Sequence, residues 1–236
     1  MSGSVQDFEH IRAGLERVRA RIAAAAAAAG RDPAAIRLVA VSKTHPAEAV
    51  AAAADAGQRD FGESYVQEAA GKIDALAGRD LVWHFIGPIQ SNKTRAIAAR
   101  FHWVHGVDRI KVAERLSAQR PQGLPPLEVC IQVNVSGEAT KSGCSPEALP
   151  ALAEAVARLP RLRLRGLMAI PAPCDDPEAQ RRPFRRLREL LEGLRARGLA
   201  LDTLSMGMSD DLEAAVAEGA TVVRIGTAIF GLRPRR

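Results

Sequence analysis

The stretch Thr203-Leu204-Ser205-Met206-Gly207-Met208-Ser209-Asp210-Asp211, with Val222-Val223-Arg224-Ile225-Gly226-Thr227-Ala228-Ile229-Phe230-Gly231 after it, decides the fold. Both segments start as short apolar runs and break into turns of small residues. Ser209, Asp210 and Asp211 open a helical stretch that Gly219 closes, which is the punctuation of a helix start and stop. Strand, turn, helix and next strand make one βα unit. The near-continuous apolar runs suit parallel strands covered on both faces.

The same alternation runs back towards the N-terminus. The predicted strands are Leu38–Lys43, Asp60–Gly62, Val82–Gly87, Trp103–Val107, Glu128–Val135, Leu164–Ile170, Thr203–Met208 and Val222–Gly226. Pro46 opens the helix after the first strand, and Gly57 follows its end. Eight βα units in about 200 residues, with no linker or repeat boundary, predict a (β/α)8 barrel of TIM type near its minimum size. Residues 1–236 then form a single domain. A doubly wound open sheet is the alternative, but it usually needs fewer strands, and the first βα turn here lacks the glycine fingerprint. Ahead of the barrel, residues 5–29 read as an extra amphipathic helix ending at Gly30, with Phe8, Ile11, Leu15, Val18 and Ile22 as its stripe. Arg17, Arg19 and Arg21 precede alanines 23–29 and imitate a transit peptide. Asp7, Glu9, Glu16 and the continuous stripe argue for an ordinary helix instead.

Composition removes other classes. Of 236 residues, 47% are hydrophobic and 25% charged, which excludes general disorder. The net charge is 33 − 27 = +6, with five lysines (Lys43, Lys72, Lys93, Lys111 and Lys141) among the basic residues. Basic and acidic residues are interspersed, which argues against a nucleic-acid partner. The densest cluster is Arg181, Arg182, Arg185, Arg186 and Arg188, beside Phe184, Leu187, Leu191 and Leu194 at helical spacing. It reads as a helix with a solvated basic back. Cys130, Cys144 and Cys174 form no CxxC pair and suggest reduced thiols in a cytoplasmic protein. No run reaches the ~20 apolar residues of a membrane helix.

In a barrel the functional face lies at the C-terminal ends of the strands. Lys43 stands there and shares strand parity with Val39 and Val41. Partial desolvation would lower its pKa and favour the neutral amine that a Schiff base requires; the alternative is a lysine that snorkels to solvent. The turns after the seventh and eighth predicted strands occupy the place where barrels frequently bind phosphate, and ordinary helix caps are their alternative. Arg224 alternates with Val222 and Gly226 on one strand face, so its guanidinium needs an acceptor inside the barrel, either a carboxylate or a ligand atom. His84 and His105, in apolar strands, read as hydrogen-bonded core residues. Nothing resembles a zinc ligand set, a Walker lysine loop or a serine nucleophile elbow. A lysine, phosphate-like turns and an arginine together point to a cofactor carrying an aldehyde and a phosphate.

Several motifs then resemble one family. They are Val41-Ser42-Lys43, Phe61-Gly62-Glu63 with Val66-Gln67-Glu68, Trp83-His84-Phe85-Ile86-Gly87 with Gln90-Ser91-Asn92-Lys93, Val133-Asn134-Val135 and the two turns quoted first. In this order, from about residue 8 to 232, the chain is similar to pyridoxal phosphate homeostasis proteins. The resemblance implies a barrel like the N-terminal domain of alanine racemase, standing without the second domain, and pyridoxal 5′-phosphate (PLP) held as an internal aldimine on Lys43. It implies that Ser205 and the Gly226-Thr227 turn hold the phosphate and that Arg224 faces the pyridine nitrogen. Ser64 stands where the family commonly has Asn. The expected role is non-catalytic: a cytoplasmic monomer that buffers PLP or delivers it to PLP-dependent apoenzymes, with no metal and no membrane partner. The alternative is a small PLP-dependent amino-acid racemase, which needs a second acid–base group opposite the lysine. The chain's one tyrosine is Tyr65, beside the second predicted strand.

Overall fold

The eight apolar segments close into a parallel barrel. In the computed structural model, which describes residues 8–137 and 142–232, its strands are β1 (Arg37–Val41), β2 (Asp60–Glu63), β3 (Val82–Phe85), β4 (Trp103–Val107), β5 (Leu127–Gln132), β6 (Leu162–Met168), β7 (Thr203–Ser205) and β8 (Val222–Ile225). Each strand pairs with the next, and β8 returns to β1. The closed barrel, not the open sheet, is therefore the architecture. Residues 5–7 of the expected N-terminal helix and Lys141 lie outside the described residues.

Several strands stop earlier than their apolar runs. β1 ends at Val41 and β7 at Ser205, yet Ser42, Met206 and Gly207 remain buried. Burial continues because these residues still bond to the neighbouring strands: the Ser42 N–H donates to the Gly62 carbonyl oxygen, the Met206 N–H to that of Val222 and the Arg224 N–H to that of Gly207. Thr44, with φ 70°, and Gly207, with φ 98°, mark where the backbone turns.

Outside the barrel lie α2 (Ala47–Asp55), α3 (Val66–Ala75), α4 (Thr94–Arg100), α5 (Ile110–Gln119), α6 (Leu149–Ala157), α7 (Pro177–Ala196), α8 (Leu212–Ala217) and α9 (Thr227–Phe230). The N-terminal helix α1 (Glu9–Ala28) buries Ile11, Leu15, Val18 and Ile22 against this layer, touching α2, α8 and α9. Gly14 permits the approach to α9, because a Cβ there would stand 2.8 Å from the Ile229 carbonyl oxygen. α7 buries Phe184, Leu187, Leu191 and Leu194 as its spacing predicts. Its basic side differs from a purely solvated one: Arg181, Arg185 and Arg188 all grip Glu218, which is 1% exposed just after α8. The arginines follow a carboxylate that only tertiary packing places there.

Strand parity sorts two cores. Leu38, Ala40, Val223 and Ile225 face the helices in one large apolar cluster. Inside the barrel, Trp103, Cys130 and Met168 form a small separate cluster. Arg37 and Arg165 lie 5.5 and 5.0 Å from the Trp103 ring centroid. Register sets Val39 beside Arg224, Gly62 beside His84 and Met168 beside Ser205, so the space above that apolar floor is polar.

Candidate functional site

At the C-terminal ends of β1 and β8 opens a cavity of about 230 Å³. Lys43, Arg224, Gly226 and Thr227 line it together with Ser209 and His45. Four of the five residues singled out from the sequence therefore meet on one cavity. Ser205 does not line it. That side chain is fully buried below, at the end of β7, and the hydroxyl that the same segment presents to the cavity belongs to Ser209.

Lys43 lies just past β1, half-buried, on a segment braced from behind. Lys72 Nζ on α3 donates to Glu63 Oε1, Glu68 Oε1 and the Ser42 carbonyl oxygen, each at 2.7 Å. Ser42 Oγ donates to Glu63 Oε1 at 2.6 Å, and the Thr44 backbone N–H donates to Glu68 Oε1 at 2.5 Å. Glu63 and Lys72 are 0% and 5% exposed. Burial raises the Glu63 pKa, an effect that Lys72 and Ser42 oppose. The brace holds Thr44 at φ 70°, a left-handed conformation that costs a β-branched residue about 1–3 kcal/mol. Thr44 Oγ1 and Glu63 Oε2 are buried there without a hydrogen-bond partner among the described residues.

Arg224 is anchored differently. Its Nη1 donates to Ser205 Oγ at 2.6 Å and its Nη2 to the Ala169 carbonyl oxygen at 3.0 Å. Ser205 Oγ lies 2.7 Å from His105 Nδ1, His105 Nε2 lies 2.9 Å from His84 Nδ1, and His84 Nε2 lies 2.9 Å from Asp60 Oδ1. The polarity of this row follows from its ends. Ser205 Oγ already accepts from Arg224, so its proton goes to His105 Nδ1; His105 Nε2–H donates to His84 Nδ1, and His84 Nε2–H donates to the Asp60 carboxylate. Both histidines are then neutral. Burial holds the pKa of each below the ordinary value, well below it for His105, where His84 and Arg224 add to the effect. Desolvation also pushes the Arg224 pKa down to about 10, against a weaker pull from Asp211, so the guanidinium keeps its charge at neutral pH. Arg224 has five N–H donors, and only two meet protein acceptors among the described residues.

The hydroxyls of Thr227 and Ser209, which line the same cavity, have no protein partner among the described residues. Asp211 shapes this edge by accepting the Met208 N–H at 2.5 Å. The donor set is an amine, a buried cation with donors to spare and two unengaged hydroxyls. It fits a ligand that carries a carbonyl, a ring acceptor and an anionic group. Among the described residues no cluster of His, Cys, Asp and Glu could hold a metal ion.

A second cavity, of about 370 Å³, lies beyond Lys43. Lys43 and Ile86 line both cavities, and the second adds Ser64, Tyr65, Gln67, Gln90 and Lys93. Sequence reasoning gave no role to Lys72, His45 or Lys93, and it included Ser209 only as part of the turn after the seventh predicted strand. The spacing of Glu68 and Lys72, four residues apart on a helix, was the one readable signal of the brace.

Three comparisons bear on the site. The profile of the alanine racemase N-terminal domain matches residues 14–234. A pyridoxal phosphate homeostasis protein of Pseudomonas aeruginosa is 69% identical over 219 residues, 93% of this chain and 94% of that one. Among solved structures, PipY of Synechococcus elongatus with PLP bound is 37% identical, with a TM-score of 0.81, over 94% of this chain and 100% of that one. The alanine racemase of Corynebacterium glutamicum, 19% identical with a TM-score of 0.72, shares the fold over 96% of this chain and 62% of its own.

Proposed function

The chain belongs to the alanine racemase N-terminal domain family and, within it, to the pyridoxal phosphate homeostasis proteins, and from that premise we propose that it binds PLP at Lys43 and buffers or delivers it. The observation that carries this reading is the meeting of Lys43, Arg224, Gly226 and Thr227 on one cavity. When bound, the cofactor supplies an aldehyde for an amine and an electron-withdrawing ring. Lys43 is the amine. Thr227, Ser209 and the Gly226 turn hold the phosphate. Arg224 would donate to the ring nitrogen and keep that atom unprotonated, which would weaken the ring as an electron sink. Ser205, buried below, serves the cofactor through Arg224.

The chain's own groups favour storage over turnover. Racemisation needs acid–base groups on both faces of the substrate. Lys43 offers one, and Tyr65 lines the second cavity but is 48% exposed at its rim. The relatives carry a homeostasis name, which accords with a carrier. We further place the protein in the cytoplasm as a monomer that hands PLP to apoenzymes. Among the described residues no helix is long and apolar enough to cross a membrane.

The test is PLP-loaded protein incubated with L-alanine in deuterated water. We expect about one PLP per chain after gel filtration and negligible D-alanine. Multiple-turnover D-alanine formation that disappears in Lys43→Ala would replace the carrier with a racemase.

A further inference from the structure

The second cavity differs in chemistry from the first. Among its lining residues are Lys43 and Lys93, the amides of Gln67 and Gln90, and no carboxylate. Lys93 is half-buried, and its ammonium has no hydrogen bond or ion pair among the described residues. A partly desolvated cation in a concave site is stabilised by an anion, and flanking amides supply further donors. Lys43 lines the same cavity as Lys93 and also lines the first one, so an anion held at Lys93 shares its cavity with that amine.

We propose that this cavity takes the carboxylate of an α-amino acid, with Lys93 as its counter-cation and the amino group directed at Lys43. The inference rests on the function proposed above. The incoming neutral amine replaces Lys43 at the cofactor's carbonyl carbon: one C=N double bond forms as another breaks, and the two amine hydrogens pass from the incoming nitrogen to Lys43 Nζ, which leaves as the neutral amine. No oxidant, reductant or water is consumed. A free amino acid thereby loosens the cofactor from the carrier, and Lys93 sets which amines can do so.

The experiment titrates PLP-loaded protein with L-alanine and with ethylamine, which lacks the carboxylate, and follows the visible band of the bound cofactor. Both are compared at equal concentration of neutral amine. We expect alanine to act at about tenfold lower concentration, the size of one charge-assisted hydrogen bond. Lys93→Gln should bring the two ligands together without changing PLP uptake or the ethylamine response, and Lys93→Arg should keep most of the preference. Equal potency in the wild type, or an undiminished preference in Lys93→Gln, overturns the inference while the carrier reading stands. A wild-type protein that retains no PLP overturns both.

Discussion

Behind Lys43 the chain buries charges in direct contact, whereas beneath Arg224 a row of neutral side chains separates the buried cation from a carboxylate. In the first region Lys72 touches two carboxylates. In the second, Asp60 is separated from Arg224 by His84, His105 and Ser205. The difference follows the task of each region. The ionic brace holds a turn in a strained conformation and needs strong local pairing. The arginine must reach a ligand with its charge intact, and an adjacent carboxylate would neutralise it. Direct pairing therefore serves shape, and relayed pairing serves charge.

The largest effect should come from breaking the brace. Lys72→Met leaves Glu63 and Glu68 without their cation, and removing one partner of a buried pair costs about 3–5 kcal/mol. Urea unfolding should show this loss, and Lys43 should become less reactive towards PLP as the turn relaxes. Unchanged stability would mean that the contacts of Lys72 contribute nothing net to the fold.

Thr227→Ala touches neither network and separates binding from folding. Losing a hydrogen bond to an anion costs about 1.5–3 kcal/mol, so PLP should bind roughly tenfold to a hundredfold more weakly. Its unfolding midpoint should stay put, and pyridoxal, which lacks the phosphate, should lose little affinity. Equal weakening of both ligands would move the phosphate elsewhere.

Ser205→Ala cuts the relay at its join with Arg224. Leaving buried polar groups unpaired costs about 1–3 kcal/mol, read as lower stability together with a displaced visible band of bound PLP. A loss restricted to phosphate-bearing ligands would return Ser205 to the phosphate.

The smallest effect is a pH response of opposite sign in the two regions. His84 and His105 have folded pKa values below their unfolded ones, so the stability they confer is present above the unfolded histidine pKa and is lost as pH falls towards the folded values. Glu63 has a raised folded pKa, so its contribution is present at low pH and is lost as pH rises through the folded value. Between pH 7.5 and 6.0, wild-type stability should fall by under about 1 kcal/mol per histidine. His105→Asn should flatten that slope, and an unaltered slope would mean the histidines are already charged.

What the sequence made legible follows from locality. Alternation placed Arg224 inside the barrel because its strand neighbours Val223 and Ile225 carry the apolar signal that packs on the helices. Lys43 was legible as the last inward residue after Val39 and Val41. The brace was not, because Glu63 meets Lys72 only once α3 docks beside β2. Ser205 and Ser209 bound one motif, but Ser205 ends β7 and meets His105 and Arg224 inside the barrel, while Ser209, past the strand end, lines the cavity. The apolar run does not show where the strand stops. Glu218, which draws three arginines off a seemingly solvated face, shows the same dependence on packing.

The proposed function stands or falls with Lys43 as the residue that holds the cofactor. Borohydride reduction of the PLP-loaded protein, followed by peptide mass mapping, tests it most directly. We expect one reduced pyridoxyl label per chain, on the peptide containing Lys43, and none on Lys43→Ala. Recovery of the label mainly on Lys72, Lys93, Lys111 or Lys141 would contradict it.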